Sequence, residues 1–324
     1  MAAKTNKKLE VSIIIVNYKS YEMTDNCISS IYKYTQDVNY EIILVDNATD
    51  YQSLLRLINK YPCIKTIRNK ENLGFSVANN QAINIIEGEN ILFLNNDTLF
   101  YENSLKTILG FNKEIDSDVF VGCKLLNKNL TSQVSVFAFD RLTNLLGENL
   151  FLYKIFKKNK YLNKYFQNHL EIKTPTEVDV IRGAFMFCPT KKIRELSGFD
   201  ERFFFYSEEA DLCFRFKKMK GKVIYFPNTS IIHIGSATSD QNKFFRFKNL
   251  SIGKIQFYQK HYIGIKFILS IIIHYTGITI RIPTYFIIGL FSFSKNNLLK
   301  SFYYFKTLFI YPKNMFNLKT KKND

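Results

Sequence analysis

Asp97 closes an apolar run, Ile91-Leu-Phe-Leu-Asn-Asn-Asp97. A carboxylate in that place can hold a hard divalent cation such as Mg2+ or Mn2+ through oxygen ligands. Such a cation neutralises charge that develops on phosphoryl oxygens. Asp46 ends a similar run, Glu41-Ile-Ile-Leu-Val-Asp-Asn47, where its carboxylate could accept the ring N–H of uracil or thymine. The acids in Tyr206-Ser-Glu-Glu-Ala-Asp211 offer a general base for a hydroxyl proton. Each also has a plainer reading. Asn and Asp after a strand make turns, Asp46 could cap the next helix, and acids in a first helical turn stabilise its dipole by about 0.3–1 kcal/mol. Consecutive acids do not share a helix face, so at most one of Glu208 and Glu209 can enter a site. Asp211 and Arg215, four apart, suit an ion pair behind it.

Further candidates surround these. Asn17 and Tyr18 follow the run Val11–Val16, and Tyr18 could stack on a base or sit beside the core. In Asn72-Leu-Gly-Phe-Ser-Val-Ala-Asn-Asn80, Gly74 precedes a helix start whose backbone N–H groups could reach a phosphate, with Arg68 just upstream for a diphosphate. Asn79 and Asn80 could equally be helix-surface polarity. The segment is not GxGxxG, and GxxxxGK[ST] is absent, so neither a dinucleotide fingerprint nor a P-loop is supported. His233 stands alone after an apolar strand, a place where histidine is usually structural.

The positioning elements are legible from periodicity. Val11–Val16, Ile42–Val45, Ile64–Ile67 and Asn90–Leu94 read as buried parallel strands, with helices over Ser20–Tyr34 and Phe75–Ile86 as crossovers. Four buried strands that each end in Asn or Asp describe an open α/β sheet whose carboxyl edge is a polar ligand site. Asn127–Thr176 gives no clear element beyond a strand pair around Gln133–Phe139 and reads as an insert. Val178–Ile181 resumes as a strand, Ser207 suits the N-cap of a helix over Glu208–Lys218, and Val223–Phe226 is a strand that Pro227 should end.

The order and wording of these segments, with Gly198-Phe-Asp-Glu201, resemble the family 2 glycosyltransferases of GT-A fold, especially the bacterial rhamnosyltransferase-like branch, over roughly residues 9–240. The resemblance implies a GT-A (Rossmann-like), mostly parallel central sheet with flanking helices. It places Asn17, Tyr18, Asp46, Asn47, Arg68, Asn72, Gly74, Asn79 and Asn96 on the nucleotide side. Asp97 and His233, the latter in His233-Ile-Gly-Ser236, become ligands for Mn2+ or Mg2+, with Asn95 where the family's metal motif has a first acid. Glu209 aligns with the family's base, one methylene longer than the usual Asp, with Glu208 beside it. Arg182 and Gly183, in Arg182-Gly-Ala184, fall near the donor, and Asp200 and Asp211 near the donor and acceptor, next to the aromatic run Phe203–Tyr206. The implied reaction is inverting transfer from a UDP- or dTDP-linked sugar, with dTDP-rhamnose suggested by the branch alone, to a glycan or lipid-linked acceptor in cell-surface polysaccharide synthesis. The sugar, linkage, acceptor and oligomeric state are not encoded in these signatures.

The totals fit an α/β body with an appendage. The 324 residues are 46% apolar, enough for a full core. Five scattered cysteines form no CxxC pair, which argues against a disulfide framework or zinc site and for a reduced, cytoplasmic setting. The first apolar run, six residues long, is too short for a signal peptide core. Net charge is +17, of which residues 241–324 carry +13, with 14 Lys plus Arg against Asp324 alone. Residues 1–240 are therefore expected to form the catalytic domain and residues 241–324 a helical, basic, amphipathic extension. In that extension Phe244–Tyr262 is helical in pattern. Ile263–Ile280 is nearly continuous apolar sequence, which Arg281 and Pro283 should break before Thr284–Phe293. Neither half makes a clean span of about 20 residues, so helices lying in the inner membrane face are expected. A packed helical layer and a true span are the alternatives. No nucleic-acid partner is implied.

Three other functions compete. A sugar nucleotidyltransferase would show a Gly-rich basic loop after strand one, where this chain has Asn17-Tyr-Lys-Ser20. A non-catalytic membrane or polyanion-binding protein would use the basic tail alone. A processive polysaccharide synthase would carry a Gln-x-x-Arg-Trp motif, and this chain has no tryptophan.

Overall fold

The computed structural model describes residues 8–115, 118–166, 172–235 and 243–310. Ser236 of the His233 motif, residues 241–242 and the basic end from 311 onward lie outside the described residues. The chain divides into two compact units. The first comprises residues 1–139, 167–204 and 208–241, and the second residues 140–166, 205–207 and 242–324.

The first unit is built on β1 (Val11–Asn17), β2 (Tyr40–Asn47), β3 (Lys65–Asn69) and β4 (Asn90–Asn95), which run parallel in the order β3-β2-β1-β4. The crossovers are α1 (Tyr21–Tyr34), α2 (Tyr51–Lys60) and α3 (Phe75–Ile83). Branched apolar residues fill both faces, as a sheet buried on two sides requires. Ile13, Ile15, Leu44 and Leu92 pack into one core, and Ile14, Ile43, Val45 and Phe93 into the other. The sheet continues through β10 (Phe185–Pro189), antiparallel to β4, then β6 (Val119–Leu126) and β11 (Lys222–His233), with β5 (Thr98–Leu99) at the far edge and β8 (Thr176–Glu177) also paired to β11. Between β5 and β6 lies α4 (Ser104–Glu114). A small sheet joins β7 (Val136–Phe137) to β9 (Val180–Ile181), and α7 (Thr190–Glu195) and α8 (Glu208–Lys218) complete the unit.

Two local expectations need correcting. Pro227 does not end its strand: β11 runs on to His233, with its register against β6 shifted between Phe226 and Ser230. An irregularity is where a sheet accommodates a residue lacking an N–H. Ser207 has left-handed backbone, φ 72°, and so does Tyr206 at φ 73°, rather than the extended conformation of an ordinary N-cap.

The second unit contains α5 (Leu142–Asn149), α6 (Leu152–Ile155), α9 (Lys243–His261), α10 (Ile265–Phe291) and α11 (Lys295–Thr307). The stretch from 140 to 166, unreadable by periodicity, is tied in by buried polar bonds. Lys164 Nζ donates to Asp140 Oδ1 at 2.6 Å and Tyr258 Oη to Asp140 Oδ2 at 2.9 Å. Lys254 pairs with Glu148 at 3.0 Å, and Arg281 donates to Asn149 Oδ1 at 2.9 Å and to the Glu148 carbonyl at 2.7 Å. Arg281 and Pro283 do not break the apolar stretch either, and α10 is one helix of 27 residues. An internal proline costs about 3 kcal/mol. Here neighbouring hydroxyls take up carbonyls around it: Ser301 Oγ donates to the Ile282 carbonyl and Thr284 Oγ1 to that of Ile280, both at 2.8 Å.

The polar cluster makes the second unit acid-sensitive. Burial alone would raise the Asp140 and Glu148 carboxyls, but the Lys164 and Lys254 charges outweigh it and hold both below the usual carboxylate range. Burial, with Lys254 nearby, pushes His274 down from its ordinary 6.5 to about 3. All three bind protons more readily when unfolded, so their stabilisation is complete above the unfolded pKa values and is lost as pH falls through the folded ones. Melting temperature should therefore fall as pH drops below about 6.5, with a steeper fall below about 4. His274→Gln should remove the upper part of that slope and leave the lower part. A profile flat from pH 7 to 4 would contradict this account.

Candidate active site

The polar strand ends converge because the register aligns them. Asn17 lies opposite Asp46, Asp46 opposite Arg68, and Val16 opposite Asn95. Asn17 is the centre of the resulting network. Its Nδ2 donates to Asp46 Oδ1 and to Thr49 Oγ1, both at 2.9 Å. Its Oδ1 accepts from Thr24 Oγ1 at 2.9 Å, Asn96 Nδ2 at 3.2 Å and the Ser20 N–H at 3.3 Å. The Thr49 N–H donates to the other Asp46 oxygen at 3.2 Å. Below, Cys27 touches the Asn95 carbonyl at 3.7 Å, and burial pushes its thiol up to about 12, so it stays neutral.

Several residues expected to meet the nucleotide are therefore parts of the frame. Asp46 is fully buried with each oxygen already accepting a bond. Asn96 turns inward to Asn17 and Thr24. Asn47 is buried and donates to the Gly74 carbonyl at 3.1 Å while accepting from Asn69 at 2.8 Å. Asn79 is buried and returns its amide to the Phe75 carbonyl at 2.8 Å. The α3 amides expected to reach a phosphate are engaged as well. The Gly74 N–H donates to Asn72 Oδ1 at 3.0 Å and the Phe75 N–H to the Phe204 carbonyl at 2.9 Å. Arg68 remains exposed, its guanidinium 4.5 Å from the centre of the exposed Tyr51 ring, and Tyr18 is half-buried beside Lys19.

Asp97 and His233 meet across the β5–β11 pairing, Asp97 Oδ1 lying 3.3 Å from His233 Nε2. The imidazole is oriented by Gln133. The Gln133 amide nitrogen donates to Asn127 Oδ1 at 2.9 Å and to the His233 carbonyl at 3.2 Å, which leaves Oε1 to accept from His233 Nδ1 at 2.6 Å. Nδ1 thus carries a proton, and when the ring is neutral its Nε2 lone pair faces the Asp97 carboxylate. Two acceptors facing each other suit a shared cation: adjacent ligands at about 2.1 Å from a metal lie about 3 Å apart. Among the described residues no group of three or more His, Cys, Asp or Glu side chains could hold a metal ion. The fit is thus to a cation that draws its other ligands from water and a diphosphate.

The turn from Arg182 to Ala184 connects this pair to the acids of α8. The Asn95 N–H donates to the Ala184 carbonyl at 3.1 Å, and a Cβ placed on Gly183 would lie 3.6 Å from the Glu209 Cβ. Arg182 donates to the Val134 carbonyl at 3.1 Å. Glu208 is buried and Glu209 half-buried, so the two diverge as consecutive helical residues must. Asp211 is fully buried and accepts from Arg215 at 2.8 Å, while Arg215 also donates to the Leu196 and Gly198 carbonyls at 2.7 and 2.8 Å. Asp200 pairs with Arg202 on the loop that Arg215 grips. Asn80 holds that loop from the other side, exchanging two bonds of 2.9 Å with the Phe199 backbone.

Comparison with known proteins decides the family. The model described as "Glycosyl transferase family 2" matches residues 12–176, half of the chain. The chain belongs to that family.

Among curated relatives, this family 2 chain is 27% identical over 161 residues to poly(ribitol-phosphate) beta-N-acetylglucosaminyltransferase TarP of Staphylococcus aureus, covering 46% of the chain and 49% of TarP. It is 25% identical over 248 residues to rhamnosyltransferase WbbL of Escherichia coli, covering 72% and 86%. The match spans about half of TarP and only 19% of a poly(ribitol-phosphate) beta-glucosyltransferase of Bacillus spizizenii. Of solved structures, mannosyltransferase PcManGT of Pyrobaculum calidifontis, in complex with GDP-Man and Mn2+, superposes with TM-score 0.55 at 14% identity over 94% of this chain and 88% of its own. GalNAc-T7 with UDP, GalNAc and Mn2+ gives 0.53 at 15%, over 70% and 44%. The fold expected from the sequence, GT-A with a C-terminal helical region, is the fold observed.

Sequence reasoning missed Thr24, Thr49 and Gln133. Thr24 could have been noticed as a polar residue on the buried face of α1 beside Cys27, Ile28 and Ile31. Gln133 is 100 residues from His233, and nothing local marks it. Gly74, by contrast, is fixed by geometry. Its φ is 86°, and a Cβ there would meet the Phe204 carbonyl oxygen at 2.6 Å. Gly74→Ala should destabilise the first unit by about 1–3 kcal/mol in urea unfolding. An unchanged midpoint would show that this turn relaxes freely.

Proposed function

We propose that this chain is an inverting glycosyltransferase that moves a sugar from a nucleoside diphosphate sugar to a glycan or lipid-linked acceptor. The observation that supports the reading is the junction at Arg182–Ala184: Ala184 bonds Asn95, two residues before Asp97, and Gly183 lies against Glu209. Glu209 takes the proton from the acceptor hydroxyl as that oxygen bonds to the anomeric carbon and the nucleoside diphosphate departs. Asp97 and His233 hold Mn2+ or Mg2+, which when bound supplies neutralisation of charge on the departing diphosphate. Gln133 keeps His233 in the tautomer that presents Nε2. Arg68 and Tyr51 offer a cationic and aromatic surface at the nucleotide end, with Tyr18 nearby. Because the buried Asp46 is engaged in the frame, it does not select the base, and UDP and dTDP are carriers to test alongside GDP. Relatives named as rhamnosyltransferases support rhamnose as a sugar to test first.

Membrane contact through residues 241–324 is part of the same reading, at the cytoplasmic face. By length and composition α10 could cross a membrane, yet 22% of its most apolar window is buried. The helix is turned inside out. Its buried positions include Ser270, His274, Gly277, Arg281 and Gly289, while Ile268, Ile272, Phe286, Ile287 and Phe291 are exposed. A helix that packs on protein through its polar stripe and shows isoleucine and phenylalanine outward suits an apolar medium. The basic charge of the region suits anionic headgroups. The stripe's Arg281 and His274 partners within the second unit favour a helix lying in the interface over one that crosses.

Two experiments test this reading. Glu209→Gln should lower transfer by a factor of about 10^2 or more and leave UDP or dTDP binding intact. Turnover near that of the parent would remove Glu209 from the reaction. The full chain should float with vesicles containing phosphatidylglycerol, and Ile272→Glu with Ile287→Glu should cut that binding about tenfold or more. Flotation unaffected by both charges would favour a packed helical layer instead.

A further inference from the structure

Thr24 sits on α1 with its hydroxyl between the ends of β1 and β4. It is fully buried, so it reaches no ligand. Its Oγ1 donates to Asn17 Oδ1 at 2.9 Å, with the Ser20 carbonyl an alternative acceptor at 2.9 Å, and accepts from Asn96 Nδ2 at 3.0 Å. Asn96 has a second acceptor in Asn17, at 3.2 Å. Both amide hydrogens of Asn96 are thus directed inward. The residue that follows, Asp97, is held from the other flank: its carbonyl accepts the Ile234 N–H at 2.8 Å and its carboxylate faces His233. The Asn96–Asp97 turn is therefore clamped between α1 and β11.

We infer that Thr24 is a positioning residue for Asp97: by fixing Asn96 it sets where the Asp97 carboxylate stands relative to His233, and so the affinity of the pair for a divalent cation. The inference rests on the reading of Asp97 and His233 as cation ligands. Asn95 is an amide where a second carboxylate would have stood, so a single aspartate supplies the charge. A site with one carboxylate has little attraction to spare, and its affinity depends on how well that carboxylate is aimed. Valine matches threonine in shape while removing the hydroxyl. Thr24→Val therefore removes one of the two bonds that hold Asn96 without opening a cavity, and Thr24→Ser restores it.

The test titrates Mn2+ into purified full-length protein at fixed UDP, or dTDP if that is the nucleotide bound, and follows the melting temperature. Thr24→Val should raise the Mn2+ concentration for half-maximal stabilisation about tenfold or more, the range for losing an outer partner of a metal ligand. Thr24→Ser should restore it, and stabilisation by nucleotide without Mn2+ should not change. Asn96→Ala removes that bond, together with the one to Asn17, from a half-buried position. It should give the same shift, with the Thr24→Val/Asn96→Ala double variant no weaker than either single one. A Thr24→Val protein that melts lower with an unshifted Mn2+ midpoint would overturn the inference, as would additive single effects. If Thr24→Val fails to fold, Asn96→Ala decides alone, and an unshifted midpoint there overturns it. Asp97→Asn separates the two levels. If it leaves the Mn2+ response intact, the cation reading itself falls. If it abolishes the response while the Thr24 and Asn96 variants do not move it, only the positioning role falls.

Discussion

One side-chain amide holds the carboxyl edge of the sheet together. Asn17 bonds Asp46 from β2, Thr49 from the loop beyond it, Thr24 from α1 and Asn96 from the turn after β4. A buried amide left unsatisfied costs about 1–3 kcal/mol per group, and Asn17 has no exposure through which water could replace a partner. The strand ends must therefore keep the spacing that satisfies it. That spacing fixes where Arg68, Asp97 and the Arg182–Ala184 turn can stand, because each is attached to a strand or turn the network anchors.

This explains which parts of the site were legible in the sequence. Apolar runs such as Ile13–Ile15 and Leu92–Leu94 announce strands buried on both faces, and their polar ends announce the ligand edge. The boundaries of β1 to β4 followed within a residue or two, since the change from Val16 to Asn17 is itself the end of the core. The role of each polar residue was not legible. Asn and Asp at such an edge can face a ligand or one another, and a one-dimensional pattern does not separate the two. Asp46 and Asn96 face Asn17, and Asn47 and Asn79 face the Gly74 and Phe75 carbonyls. Gln133 escaped notice because its partner His233 arrives through sheet pairing rather than through proximity in the chain.

The second unit was misread in a different way. Local rules hold that Pro283 and Arg281 break a helix, yet tertiary partners override them. The Arg281 guanidinium lies 4.9 Å from the Phe151 ring centre and bonds Asn149, and Ser301 reaches the Ile282 carbonyl. These partners come from residues 149–151 and 301, so no window on the α10 sequence could have found them. The same contacts explain why residues 140–166 belong with the C-terminal helices rather than with the sheet.

The two units solve opposite burial problems. In the first, isoleucine and leucine go inward and Asn17 and Asp46 are tolerated inside because each is bonded. In the second, α10 and α11 keep Arg281, His274 and Ser301 inward and leave Phe291, Phe302 and Phe305 exposed. A helix in water gains nothing from that orientation, since exposed apolar area costs about 25 cal/mol per Å2 relative to burial. The inward charges are compensated by Glu148, Asp140 and backbone carbonyls, so they need no solvent. Among the described residues Phe291 is 85% exposed, and Phe302 and Phe305, beside Lys306 and Phe309, stay half-exposed. An outward apolar face of this kind is what the proposed membrane contact requires, independent of any chemistry at the Asp97 edge.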